Sequence, residues 1–198
     1  MVRPFKASSL SPSKLWHDLR FKRYRYRQLV GIVALFAVAL LAEPSRTPRL
    51  FWPGAVAVLL GVLVRLWASG HVKKDKVLAT TGPYALVRHP LYLGNHLIML
   101  GFCLTSGLWW SWLVWLGVTV LFYPPAIANE DERLHKLFGA DWEAWRPVTP
   151  AILPNPARLG KVTLGGRWSF GQSLRANGEP VIALVMLALL WLVHSRLV

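Results

Sequence analysis

The sequence predicts an all-α fold, a polytopic membrane bundle of about five transmembrane helices. Three observations carry this. Of 198 residues, 54% are hydrophobic and only 16% are charged, against roughly 25% charged in an ordinary soluble domain. Apolar runs of bilayer length recur along the chain. The basic residues fall into alternate connections between those runs.

A helix needs about 20 mostly apolar residues to cross a hydrocarbon core about 30 Å thick. The first run, Leu29 to Ala42, is short and can lengthen backward through Tyr24 and Tyr26. A basic leader of about 28 residues precedes it, too long for a signal-peptide n-region, so a retained anchor is expected. The second run, Leu50 to Ser69, contains one charge, Arg65. Leu91 to Tyr123 has no Asp, Glu, Lys or Arg. It is too long for one span and too short for two, so it must extend to about Asn129 and break in the middle, best at Thr105-Ser106-Gly107. Trp109, Trp110, Trp112 and Trp115 follow the break, as interfacial anchors would. Pro124-Pro125 closes the fourth span, and Pro180 to Val193, extended toward Val198, makes the fifth.

The formal charge is +14, from 23 Lys and Arg against 9 Asp and Glu. Eight basic residues lie in residues 1–28, four in 70–90 and seven in 129–179. Five spans put these groups and Arg65 on one side, leaving Arg46, Arg49 and Arg196 on the other. By the positive-inside rule the first side, with the N-terminus, is cytoplasmic. The expected membrane is a bacterial inner membrane, or the endoplasmic reticulum in a eukaryote. The lipid bilayer is thus the first expected partner. The high hydrophobicity excludes a disordered basic chain and a soluble nucleic-acid binder. Cys103, the single cysteine, excludes a disulfide framework and a multi-cysteine zinc site. No metal site and no usual nucleotide-binding glycine motif is expected.

Two polar stretches stand out. In ATTGPYALVRHPLYLG, residues 79–94, Pro90 opens a helix at the interface, where its missing N–H costs nothing. That N-terminus, flanked by Arg88 and His89, would suit a carboxylate or phosphate. Tyr92 and His96 continue its face, with Asn95 beside them, and Gly94 would let something approach the backbone. An ordinary interfacial helix start explains the same residues. In NEDERLHKLFGADWEAWR, residues 129–146, Glu130, Asp131 and Glu132 fit the first turn of a new helix. Gly139 would end it, with Trp142 and Trp145 on a short helix beyond. Arg65, an ionisable residue at membrane depth, is a third candidate, unless it snorkels to the interface.

Together these stretches resemble the isoprenylcysteine carboxyl methyltransferase family and its relatives, the phospholipid and small-thiol methyltransferases. The matching elements are Arg65, Trp67, Ala68 and Gly70; then Gly82, Pro83, Tyr84, Arg88, His89, Pro90, Tyr92 and Gly94; then Glu130, Asp131, Leu134, Phe138, Gly139, Trp142 and Trp145. The resemblance spans about residues 54–155. It implies S-adenosylmethionine as methyl donor, bound at the cytoplasmic mouth of the bundle. Arg88, His89, Pro90, Tyr92, Gly94, Glu130, Asp131, Phe138, Trp142 and Trp145 are then the expected cofactor-binding residues. Asp131 stands where relatives usually carry Glu, and Trp142 and Trp145 replace tyrosines.

The donor's carboxylate suits a helix N-terminus, and its sulfonium suits carboxylates and aromatic faces. In the transfer itself, Arg65 would orient an anionic acceptor group, and Glu130, His96 or His89 would take a proton where the acceptor must lose one. The acceptor is expected to be lipophilic, an isoprenylcysteine-type carboxylate or a phospholipid head group. An NADPH-dependent sterol-type reductase and a non-catalytic membrane protein with the same frame are the alternatives. The expected organisation is a basic arm (1–28), a core (29–146), a basic surface segment (147–178) and a last span (179–198).

Overall fold

The computed structural model describes residues 24–72, 76–154 and 168–197, with backbone alone for 24–28 and 176–177. Most of the basic arm and residues 155–167 of the surface segment lie outside the described residues. In chain order the elements are α1 (Tyr24–Leu40), a 3-10 turn (Pro44–Arg46), α2 (Pro48–His71), α3 (Pro83–Leu86), α4 (Pro90–Ser106) and α5 (Trp109–Phe138). They continue with α6 (Ala140–Trp145), a second 3-10 turn (Arg146–Val148), α7 (Phe170–Asn177) and α8 (Glu179–His194). No strand occurs among the described residues.

The fold is a helical membrane bundle. α2 and α5 are long and apolar enough to cross a bilayer, and Leu29–Leu40 and α8 are shorter apolar helices. α4 has 17 residues, about 25 Å of helix. The expected break falls at Gly107, which ends α4 in the left-handed conformation at φ 67°. Leu59, Leu60, Leu63, Leu113, Leu116, Leu184 and Trp191 all point outward. So many exposed apolar side chains suit a surface of lipid tails rather than water. Trp109 and Trp112 are exposed as anchors would be, whereas Trp110 packs on the apolar core.

The helix ends gather in two sets, as five alternating spans require. At one end, Glu43 N–H donates to Ser106 O at 2.7 Å, and Arg196 Nη1 donates to Leu40 O at 2.6 Å. His194 on α8 meets Phe51 and Trp52 on α2. The other end carries all three motif stretches.

The core is built where α1, α2, α4 and α8 meet, on Val38, Phe51, Val58, Ile98, Phe102 and Val193. The tightest seam joins α2 to α4. A Cβ on Gly61 would lie 2.7 Å from Gly94 O, and one on Gly94 would lie 2.9 Å from Gly61 O and 2.5 Å from Arg65 Cγ. Gly54 and Gly101 meet in the same reciprocal way at 2.7 and 2.6 Å. Each helix thus offers two glycines seven residues apart, and the backbones close on one another as small residues allow in membranes. This corrects the expectation for Gly94. What approaches its backbone is α2.

Two further expectations need correction. The fourth span does not end near Asn129, just past Pro124-Pro125, since α5 runs on through both prolines to Phe138. Two N–H groups are lost there, a defect that helices in membranes tolerate when neighbours hold the chain. The neighbour here is α4, whose N-terminal residues bind Asp131 beyond the prolines. Glu130, Asp131 and Glu132 accordingly sit in the last third of a 30-residue helix. They do not occupy a first turn, so the helix dipole gives no reason for them there. About 20 residues of α5 suffice to cross the bilayer, and its last turns project beyond.

Candidate functional site

α4 starts at Pro90 with His89 as its N-cap, as the proline predicts. The residues just before it are tied to the turn after α6. The backbone N–H of Arg88 donates to Pro150 O at 2.8 Å and that of His89 to Ala151 O at 2.9 Å. Pro90 has no N–H to offer. These two N–H groups, just ahead of the helix, are thus taken by the chain itself.

The side chains of Arg88 and His89 turn to α5. Arg88 grips Asp131 with Nε at 3.3 Å and Nη2 at 2.9 Å. His89 Nε2 donates to the same carboxylate at 3.1 Å. Arg88 Nη1 also donates to Thr149 O at 2.6 Å and Arg146 O at 3.2 Å. Arg88 thus ties the start of α4 to the end of α5 and to the turn after α6. Burial pushes the Asp131 carboxyl up, but the hydrogen bonds from His89 and Arg88 outweigh it and hold the group below the usual carboxylate range.

His89 stacks on Tyr92 with ring centroids 5.4 Å apart. Tyr92 meets Tyr123 at 5.5 Å, and His96 meets Tyr123 at 4.1 Å. The expected common face of His89, Tyr92 and His96 is therefore real, and it packs on α5. His96 lies deep in the span beside Trp115, with its Nδ1 unpartnered. It stands apart from the acidic cluster.

The second focus lies where α2 leaves the bilayer. Arg65 Nε donates to Glu179 Oε2 at 3.0 Å and Nη2 to Oε1 at 2.6 Å. Its Nη1 bonds to Asn95 Oδ1 and lies 3.5 Å from Leu91 O. The side chains of Arg65 and Glu179 are 14% and 5% exposed, so the pair is buried. Arg65 does not snorkel. It joins α2, α4 and the first residue of α8. Just beyond it, Ala68, Tyr84, Trp142 and Trp145 form a second buried cluster, flanked by Leu91, Leu134 and Phe138. Tyr84 lies close enough to Glu130, Glu179 and Arg65 to feel all three charges, and burial first of all pushes its hydroxyl pKa up. The Trp142 and Trp145 indole N–H groups are buried without a partner among the described residues. His135 stacks on Trp142 at 4.8 Å, and Arg146 approaches the same ring at 5.3 Å. Glu130 lies 3.9 Å from Arg133, in a looser pairing than that of Asp131.

α7 straps the end of α2 from outside. Ser69 and Ser173 share a hydrogen bond at 2.6 Å, and Gln172 Nε2 donates to Val72 O at 2.8 Å. Trp168 Nε1 donates to Leu66 O at 3.1 Å. Neither Glu179 nor Ser173 is flagged by the sequence, because both lie over 100 residues from their partners. A buried Arg65 in need of a counter-charge was the one available hint.

The comparisons agree with this frame. The phospholipid methyltransferase family model matches residues 51–141, the stretch from α2 to α6. The cobalt-zinc-cadmium resistance protein CzcN of Cupriavidus metallidurans is 34% identical, over 74% of each chain. A protein-S-isoprenylcysteine O-methyltransferase of Schizosaccharomyces pombe is 36% identical over 41% of this chain and 34% of its own. One of Dictyostelium discoideum is 25% identical over 78% of this chain and 68% of its own. No solved structure matches. With its three motif stretches gathered at one end of a membrane bundle, the chain belongs to the family of membrane methyltransferases that takes in the phospholipid and isoprenylcysteine carboxyl methyltransferases.

Proposed function

We propose that the protein transfers a methyl group from S-adenosylmethionine to a lipophilic acceptor at the cytoplasmic face of the membrane. The observation that carries this is the aromatic and acidic cluster of Tyr84, Glu130, Phe138, Trp142 and Trp145 at the mouth of the bundle. Its donor set fits the cofactor. Two buried indole N–H groups without partners match the acceptor atoms of an adenosine. Glu130 offers a carboxylate to ribose hydroxyls or an ammonium group. Aromatic faces and carboxylates together favour a cationic sulfur.

When bound, S-adenosylmethionine supplies a methyl group on a positively charged sulfur. The chain's own part is alignment and exclusion of water. Arg88, His89 and Asp131 hold α4 against α5 and fix the mouth. Tyr84, Trp142 and Trp145 wall the reacting centre off from solvent. The bound donor would supply its methyl group to an acceptor lone pair held within that wall. An acceptor that must shed a proton has Glu130 as the nearest candidate base. His96 is too deep to serve, and His89 is held by Asp131.

The test is incubation of membranes containing the protein with isotope-labelled S-adenosylmethionine and a mixture of phospholipids and prenylated peptides. Mass spectrometry should find label in a lipophilic product. Labelled product absent from every fraction, or transfer of hydride from NADPH instead, would overturn the proposal.

A further inference from the structure

We propose that Glu179 is a specificity-determining residue, which fills the anion seat of Arg65 and so turns away acceptors whose reacting group is a carboxylate or phosphate. The inference rests on the methyltransferase reading above and adds a restriction to it. Arg65 alone would be an obvious anchor for an anionic acceptor, because its planar fork matches a carboxylate in two parallel bonds. That fork is already engaged. Nε and Nη2 are taken by Glu179, and Nη1 by Asn95. Glu179 lies at the N-terminus of α8, outside the stretch that the family model matches, and its side chain is 5% exposed. The pair lies beside Tyr84, on the membrane side of the aromatic cluster, where a lipid's head group would meet the donor.

Charge decides the consequence. Arg65 and Glu179 form a buried ion pair, so the guanidinium already has its counter-charge. A second carboxylate would have to displace Glu179 into an apolar setting, at the cost of a buried unpaired charge. A reacting group without negative charge meets no such barrier. The sequence expectation that Arg65 orients an anionic acceptor is thereby reversed.

The test uses the full chain in detergent, with N-acetyl-S-farnesylcysteine as the carboxylate probe and its methyl ester as the uncharged one. S-adenosylhomocysteine binding is measured in the same samples. In the wild type the ester should bind about tenfold more tightly than the carboxylate, or better. Glu179→Gln, which keeps the shape and removes the charge, should gain about tenfold in affinity for the carboxylate. Arg65→Gln added to it should abolish the gain. Carboxylate binding in the wild type as tight as ester binding would overturn the proposal, and so would a folded Glu179→Gln protein with no gain. The wild-type comparison decides the matter if the variant does not fold. Loss of S-adenosylhomocysteine binding in the wild type would instead count against the methyltransferase reading itself.

Discussion

α4 is held by its two neighbours in opposite ways. Against α2 it closes through glycines, Gly61 on Gly94 and Gly54 on Gly101, with backbone carbonyls filling the space of the missing side chains. Against α5 it is held by rings within the bilayer and by one carboxylate, Asp131, beyond it. The first seam has no room for an added atom at its glycines, and its one charged link, Arg65 to Asn95, lies at the mouth end. The second is open to volume changes and depends on charge. The rigid seam sets the depth of Arg65 and Asn95. The charged one sets the mouth where Glu130, Trp142 and Trp145 lie.

Substitutions should separate the two. The largest effect is expected from Asp131→Ala, which leaves Arg88 and His89 without their counter-charge. A cost of about 3 kcal/mol fits a largely buried ion pair that keeps some contact with water. Unfolding in detergent by denaturant titration measures it, and a cost under about 1 kcal/mol would mean that the seam is not held by charge. The same pair gives a pH dependence. The folded-state pKa of Asp131 is depressed, so its contribution is present above the ordinary carboxylate range and is lost as pH falls through the lowered value. Acid titration should therefore destabilise the wild type more than Asp131→Asn.

Gly61→Ala tests the other seam. The added methyl would meet Gly94 O and Ile98, and overpacking of this kind costs about 1–3 kcal/mol. Its penalty should be independent of pH. A penalty that follows pH would erase the contrast between the seams.

The parts of this structure that were legible in the sequence are those set by local chemistry. Pro90 marks the start of α4, Gly107 its end and Gly139 the end of α5, each through its own backbone preference. The glycine seam was legible in principle, as two pairs spaced by seven, but spacing does not say which helix lies opposite. What stayed hidden depends on tertiary partners. Pro124-Pro125 resembles a stop until Asp131 is seen bound to α4. Arg65 resembles an acceptor anchor until Glu179 is seen on it, 114 residues away. Local rules mark the three motif stretches that gather at one end of the bundle, while long-range charge pairs decide which of their groups remain available.

The central claim is that the cluster at the mouth of the bundle holds the methyl donor. Calorimetry of S-adenosylmethionine binding to the full chain in detergent, with Glu130→Ala alongside, tests it directly. Binding should be saturable at one site and weakened at least about tenfold by Glu130→Ala. Absence of binding to the wild type, or an affinity unchanged in Glu130→Ala, would contradict it.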